Sequence, residues 1–126
     1  MNKTQIITKN APSAIGPYSQ GIKGNNIIFV SGQLPINPST GKFATDEIIG
    51  QGKQSIENVA AILEAAGSSL EKVVKITIFI QHMEDFAAVN EVYATYFTGL
   101  CPARSCVEVA KLPKGALIEI EAIALT

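Results

Sequence analysis

Apolar and polar residues alternate along this chain with two different periods, and the places where the period changes outline the fold. Alternation of period two, or short β-branched runs, predicts strands at Thr4 to Thr8, Ser19 to Lys23, Ile27 to Ser31, Val73 to Ile80, Ala103 to Ala110 and Leu117 to Leu125. Gly24-Asn25-Asn26 supplies turn chemistry between the second and third of these. Between the third and fourth, Ile49, Ile56, Val59, Ala60, Leu63 and Ala66 recur at helical spacing, and Gly67 follows as a stop. The pattern is strongest from Ser55 onward; Gly50 and Gly52 weaken the first turns, each costing about 1 kcal/mol relative to alanine. A second helix is predicted from Glu84 to Phe97, with Phe86, Val89, Tyr93, Tyr96 and Phe97 on its buried side and Gly99 after it.

Three strands, a helix, a strand, a helix and two more strands predict an α+β sandwich, with both helices on one face of a mixed sheet. The runs VVKITIFI and LIEIEAIAL carry apolar residues on both sides. The sheet face away from the helices is therefore expected to pack on other subunits, which predicts a homo-oligomer.

Composition narrows the class. At 126 residues, with 47% hydrophobic and 17% charged positions, the chain fits one domain, residues 1–126, with enough apolar surface to offset the entropy of folding. The opening MNKTQIITKNAPS has polar residues where a signal peptide needs its apolar stretch, and no run is long enough to span a membrane, so a cytoplasmic location is expected. In that compartment Cys101 and Cys106 are expected as free thiols. A formal net charge of -1 offers no general attraction to nucleic acid.

Several short motifs lead nowhere. GQGKQS, Gly50 to Ser55, lacks the third glycine and the leading strand of a dinucleotide fingerprint, and Thr40-Gly41-Lys42 lacks the upstream glycine of a phosphate loop and reads as a turn. His82 is the only histidine, which removes any His-based zinc site, and it reads as a loop residue near a helix start.

The closing segment is different. Alternation puts Arg104, Cys106 and Glu108 on one face of their strand, and Glu119 and Glu121 on one face of the last. Two interpretations fit: structural salt bridges at a subunit edge, or a cleft in which a guanidinium fork captures a carboxylate while a glutamate handles protons. Cys106 is a candidate nucleophile with no histidine near it in sequence. Asn90 falls beside Phe86, Tyr93 and Phe97 and needs hydrogen-bond partners, from the fold or from a ligand. Ser31-Gly32 joins a hydroxyl to a residue that a ligand can approach closely. Tyr18 sits in a Gly-Pro loop before a strand.

Taken together, AIGPYSQ, FVSGQLPINPSTG, EAAGSSLEKVVK, FAAVNEVY and PARSCVEVAKLPKGALIEIEAIAL resemble the Rid family (RidA/YjgF) of enamine and imine deaminases over nearly the whole chain. The resemblance implies a chorismate-mutase-like six-stranded mixed sheet with two helices on one face, assembled as a homotrimer with ligand clefts between subunits. It implies hydrolysis of 2-imino acids such as 2-iminobutanoate and 2-iminopropanoate to 2-keto acids and ammonia, with no metal or organic cofactor. Position by position, the family's arginine and cysteine in P-A-R-S-C fall on Arg104 and Cys106, and its final-strand glutamate falls on Glu119 rather than Glu121. Its G-P-Y tyrosine matches Tyr18, its serine and glycine after the third strand match Ser31 and Gly32, and its F-x-x-V-N asparagine matches Asn90. On this pattern Arg104 and Glu119 are catalytic, and Tyr18, Ser31, Gly32, Asn90, Arg104 and Cys106 hold substrate, with Cys106 a cleft wall. A non-enzymatic module that binds small carboxylates would need Arg104 equally. RNA cleavage, also attributed to family members, finds no aromatic-basic platform here.

Overall fold

A computed structural model describes residues 2–126. In chain order it contains β1 (Lys3–Ile6), β2 (Gly21–Gly24), β3 (Ile27–Gln33), β4 (Ile36–Asn37), β5 (Lys42–Phe43), α1 (Ile48–Ala65), β6 (Val73–Ile80), α2 (Phe86–Tyr96), β7 (Ala103–Glu108) and β8 (Ile118–Leu125). Six strands form one sheet in the order β1-β2-β3-β8-β6-β7, and β4 pairs with β5 in a small separate ribbon. Only β6 and β7 run parallel, joined by the long crossover through α2 that a parallel pair requires; every other pairing is antiparallel. The α+β fold with a mixed six-stranded sheet and two helices is the one expected.

Both helices cover the same face. Ile28 and Val30 of β3, Ile76, Ile78 and Ile80 of β6 and Ile118, Ile120, Ala122 and Ala124 of β8 pack there against Ile56, Val59, Ile62 and Leu63 of α1 and Val89, Val92 and Tyr93 of α2. Each fully buried isoleucine or leucine contributes about 1.5–3 kcal/mol, so this layer dominates the stability. The other face has no cover within the subunit: Phe29 is 50% exposed, Leu125 48% and Val107 43%. That face also carries polar groups, among them Lys75, whose ammonium donates to Ser105 Oγ at 3.1 Å.

Element ends differ from the sequence pattern where side chains take over backbone pairing. β1 stops at Ile6, before Thr8, because the Thr8 N–H donates to the side-chain carbonyl of Gln20 at 2.8 Å. β2 begins at Gly21, after Ser19, whose carbonyl accepts the Ser31 hydroxyl. β3 runs past Ser31 to Gln33 through a bulge after Val30. β7 ends at Glu108, short of Ala110; the Glu108 carboxylate accepts the Met83 N–H at 2.8 Å and fastens the turn that precedes α2. That turn, Met83–Asp85, is a 3-10 turn, so the α-helix starts at Phe86 and not at Glu84.

α1 starts at Ile48 and takes in both glycines. A Cβ on Gly50 would collide with the Thr45 side chain, and one on Gly52 would lie 3.8 Å from Ile118 Cδ1 and 3.9 Å from Val92 Cγ1, so the helix trades propensity for close approach. Gly50 to Ser55 is thus helical, with no phosphate-binding loop. Ile49, expected in the core stripe, is 51% exposed, and Ile48 packs in its place. The stop is as expected: Gly67 has φ 80°, and the Gly67 and Ser68 N–H groups donate to Glu64 and Leu63 carbonyls. Asn25, at φ 54°, makes the β2–β3 turn, and Gly41, at φ 74°, lies in the β4–β5 turn. His82 is exposed at the head of the 3-10 turn. No helix among the described residues is long and apolar enough to cross a membrane.

Candidate active site

Seven residues that the sequence singles out gather in two groups. The first belongs to β7 and α2. Arg104 pairs across from Ile76, so its side chain leaves the sheet on the helix-covered face. There the guanidinium carbon lies 4.8 Å from the ring centroid of Tyr93 and 5.6 Å from that of Phe86. Asn90, half-buried, stands one turn after Phe86 and one turn before Tyr93 on the same stripe of α2. Cys106, two residues along β7, opposes buried Ile78 on this same face. Its thiol is free and half-buried; burial pushes its pKa up, and the Arg104 charge pulls it only part of the way back. A thiol so placed stays protonated near neutral pH, which suits a wall and not a nucleophile.

The second group surrounds the carboxylate of Glu119. Glu119 pairs across from Phe79, on the uncovered face. The bulge in β3 turns Gly32 toward it: a Cβ on Gly32 would lie 2.8 Å from the Glu119 carboxyl carbon and 2.9 Å from Oε2. Only glycine leaves the carboxylate its place. A cleft of about 670 Å³ opens here, with Tyr18, Ser31, Gly32, Lys114, Glu119 and Glu121 in its wall. The Ser31 hydroxyl donates to the Ser19 carbonyl at 2.6 Å, which leaves its oxygen free to accept. Burial, and then the neighbouring Glu121 charge, raise the pKa of Glu119 above the ordinary carboxylate value. A carboxyl whose charge is disfavoured in this way is a stronger base when ionised, which suits it to take a proton and hand it on.

The sheet itself separates the groups. Arg104 and Glu119 lie on opposite faces, so the structural salt bridge considered from sequence does not form within the subunit. Among the described residues Arg104 has no ion-pair partner, and no cluster of three or more His, Cys, Asp or Glu is placed to hold a metal ion.

The family model that matches the chain, over residues 8–126, is described as endoribonuclease L-PSP. A crystal structure of a Rid-family protein from Yersinia pestis superposes with a TM-score of 0.97 at 53% identity, covering 99% of this chain and 100% of that one. The chain belongs to the Rid (YjgF) family. It is 53% identical over 128 residues to the 2-iminobutanoate/2-iminopropanoate deaminase of Escherichia coli, covering 99% of this chain and 98% of that protein. A RutC family protein of Pyrococcus horikoshii is 56% identical over 122 residues, with 97% of each covered. TdcF of Escherichia coli, solved with bound serine, superposes with a TM-score of 0.94 at 46% identity, covering 98% of each chain.

Some features of the candidate site were not evident from the sequence. Phe86 and Tyr93 read as core, yet they flank the guanidinium; their spacing with Asn90 along one helical stripe was the available signal. Gln20 gave none. Its amide donates to the carbonyls of Thr8, Ala11 and Pro12, tying down the segment that leads to the cleft wall at Tyr18.

Proposed function

We propose that this protein is a hydrolytic deaminase of 2-imino acids and their enamine tautomers. It converts 2-iminobutanoate and 2-iminopropanoate to 2-keto acids and ammonia, at clefts completed between the subunits of a homotrimer. The observation that carries this is the pairing of chemistries: an arginine fork with no ion-pair partner among the described residues, and a glutamate whose raised pKa suits proton transfer. The 53% identity to a protein of that activity supports the same substrates.

The mechanism follows from what an iminium needs. Its carbon is already electrophilic, so the protein has to hold the acid, place a water and move protons. Arg104 grips the carboxylate through two parallel N–H donors. Glu119 takes a proton from water as the oxygen attacks C2, giving a carbinolamine. It then returns that proton to nitrogen, and as the C–N bond breaks the carbinolamine hydroxyl gives its own proton back to the carboxylate, leaving the keto acid and ammonia. For an enamine, the protonated form of Glu119 first supplies the proton to C3. Ser31, the Gly32 N–H and Asn90 position substrate and water, Tyr18 closes the cleft, and Cys106 forms a wall. No cofactor enters this scheme.

The uncovered sheet face, with Phe29, Val107 and Leu125 exposed, supports self-association, and a second copy is what would bring a Glu119 to an Arg104. The test is ammonia release from enzymatically generated imines with and without the protein, for wild type and Arg104→Lys. Loss of most activity in the lysine variant is expected, because lysine offers charge without the planar fork. A wild-type protein that accelerates no imine hydrolysis but binds keto acids would instead be a sensing module.

A further inference from the structure

A guanidinium that is to receive a substrate carboxylate has to be held without occupying the donors that do the receiving. Arg104 stands on β7, the edge strand of the sheet, where a long side chain is free to sample many rotamers. An acidic neighbour would fix it, but would fill the fork and compete with substrate. The structure offers another restraint. The guanidinium lies over the rings of Tyr93, at 4.8 Å, and Phe86, at 5.6 Å. An aromatic face attracts the cation through its quadrupole and leaves the N–H donors, which lie in the guanidinium plane, unspent.

Tyr93 is itself well anchored. It is 7% exposed and stacks on Phe97 with centroids 4.4 Å apart, and its hydroxyl is buried with no hydrogen-bond partner among the described residues. Packing of the ring, and no bond of the hydroxyl, therefore sets its position.

We propose that Tyr93, assisted by Phe86, is a positioning residue for substrate capture: its ring face presets the Arg104 guanidinium with the carboxylate-binding fork open. This deepens the proposed function and rests on it in requiring a carboxylate ligand. A group that acts only through Arg104 changes binding and spares the chemical step. Loss of the ring should weaken carboxylate binding about three- to thirty-fold, the range of one cation–π contact.

The experiment measures binding of 2-oxobutanoate, a water-stable product carboxylate, by calorimetry on the intact protein, together with KM and kcat on the imine. Tyr93→Phe should match wild type, since the hydroxyl is unpartnered. Tyr93→Leu should bind about three- to thirty-fold more weakly and raise KM, with kcat within about twofold. Equal binding by the Phe and Leu variants would overturn the proposal, as would a Leu variant that loses kcat and retains KM. Phe86 is 37% exposed, so Phe86→Leu keeps the fold and gives the same test in a milder form should Tyr93→Leu misfold. Unchanged KM in that variant would then count against the proposal. A wild-type protein that fails to bind 2-oxobutanoate at all would overturn the functional reading with it, whereas normal binding and turnover in every variant would overturn only the positioning role.

Discussion

Arg104 and Glu119 leave the same sheet through opposite faces. Arg104 shares its face with Ile76 and Ala122, against the helices, and Glu119 shares the other with Phe79 and Val107. A substrate whose carboxylate and reacting carbon are adjacent atoms cannot reach both groups of one subunit. The expected site therefore draws Arg104 from one copy and Glu119 from its neighbour, and sedimentation should show a trimer. A stable monomer at micromolar concentration that still turns over imines would refute it.

Subunit mixing gives a sharper form of the same prediction. Arg104→Lys and Glu119→Gln homotrimers should each be nearly inactive. Random mixing of the two should restore about a quarter of wild-type activity, because three-quarters of the trimers are mixed and each mixed trimer holds one intact site of three. Mixtures as inactive as the parents would show that each subunit supplies both residues to its own site.

Glu119 and Cys106 are the two groups that compete for the role of reactive centre, and their environments already rank them. Replacing Glu119 with Gln should cost about 10²- to 10⁴-fold in kcat, the usual worth of general acid–base catalysis, while 2-oxobutanoate still binds. Replacing Cys106 with Ser or Ala should leave substantial activity, since its thiol is held protonated by burial. The reverse ranking on 2-iminobutanoate would point to covalent catalysis by the thiol.

Gly32 offers a test of geometry alone. An alanine methyl there would sit 2.8 Å from the Glu119 carboxyl carbon, closer than unbonded carbons tolerate, so the flexible carboxylate must move. Gly32→Ala should reduce kcat strongly with little change in melting temperature. Full activity would mean that the position of the carboxylate is not critical.

Much of this was legible in the sequence, and the limits have physical causes. Alternation in ARSCVE and IEIEAIAL correctly grouped Arg104 with Cys106 and Glu119 with Glu121, because strand periodicity fixes which side chains share a face. It does not say which face of one strand matches which face of another; that follows from register, Arg104 opposite Ile76 and Glu119 opposite Phe79. The β4–β5 ribbon escaped notice because two-residue strands have no period to detect. The bulge that aims Gly32 at Glu119 is likewise a tertiary feature, visible in sequence only as a glycine inside a strand. Ile49 misled because it shares the stripe of Ile56 in the sequence pattern, yet in the first turn of α1 it is exposed and its neighbour Ile48 packs against the core.

The raised pKa of Glu119 links activity and stability to pH in opposite ways. For activity, the ionised form is the base that takes the proton from water, so kcat should fall on the acid side as Glu119 becomes protonated, and this limb should vanish in Glu119→Gln. For stability, the folded protein binds the Glu119 proton more tightly than the unfolded chain does, since burial and Glu121 both disfavour the charge. Between the ordinary carboxylate value of 4.5 and the higher folded value, the native state thus carries more proton than the unfolded one, and this group's contribution makes stability fall as pH rises. Above that window the cost is fully present; below it the cost is absent. Glu119→Gln, which cannot ionise, should therefore melt above wild type on the alkaline side of that window and lose that advantage as the pH is lowered toward 4.5. Thermal melts of both proteins across this range decide it, and an advantage that is flat with pH, or that grows toward acid, would show that the carboxylate is not destabilised by its surroundings.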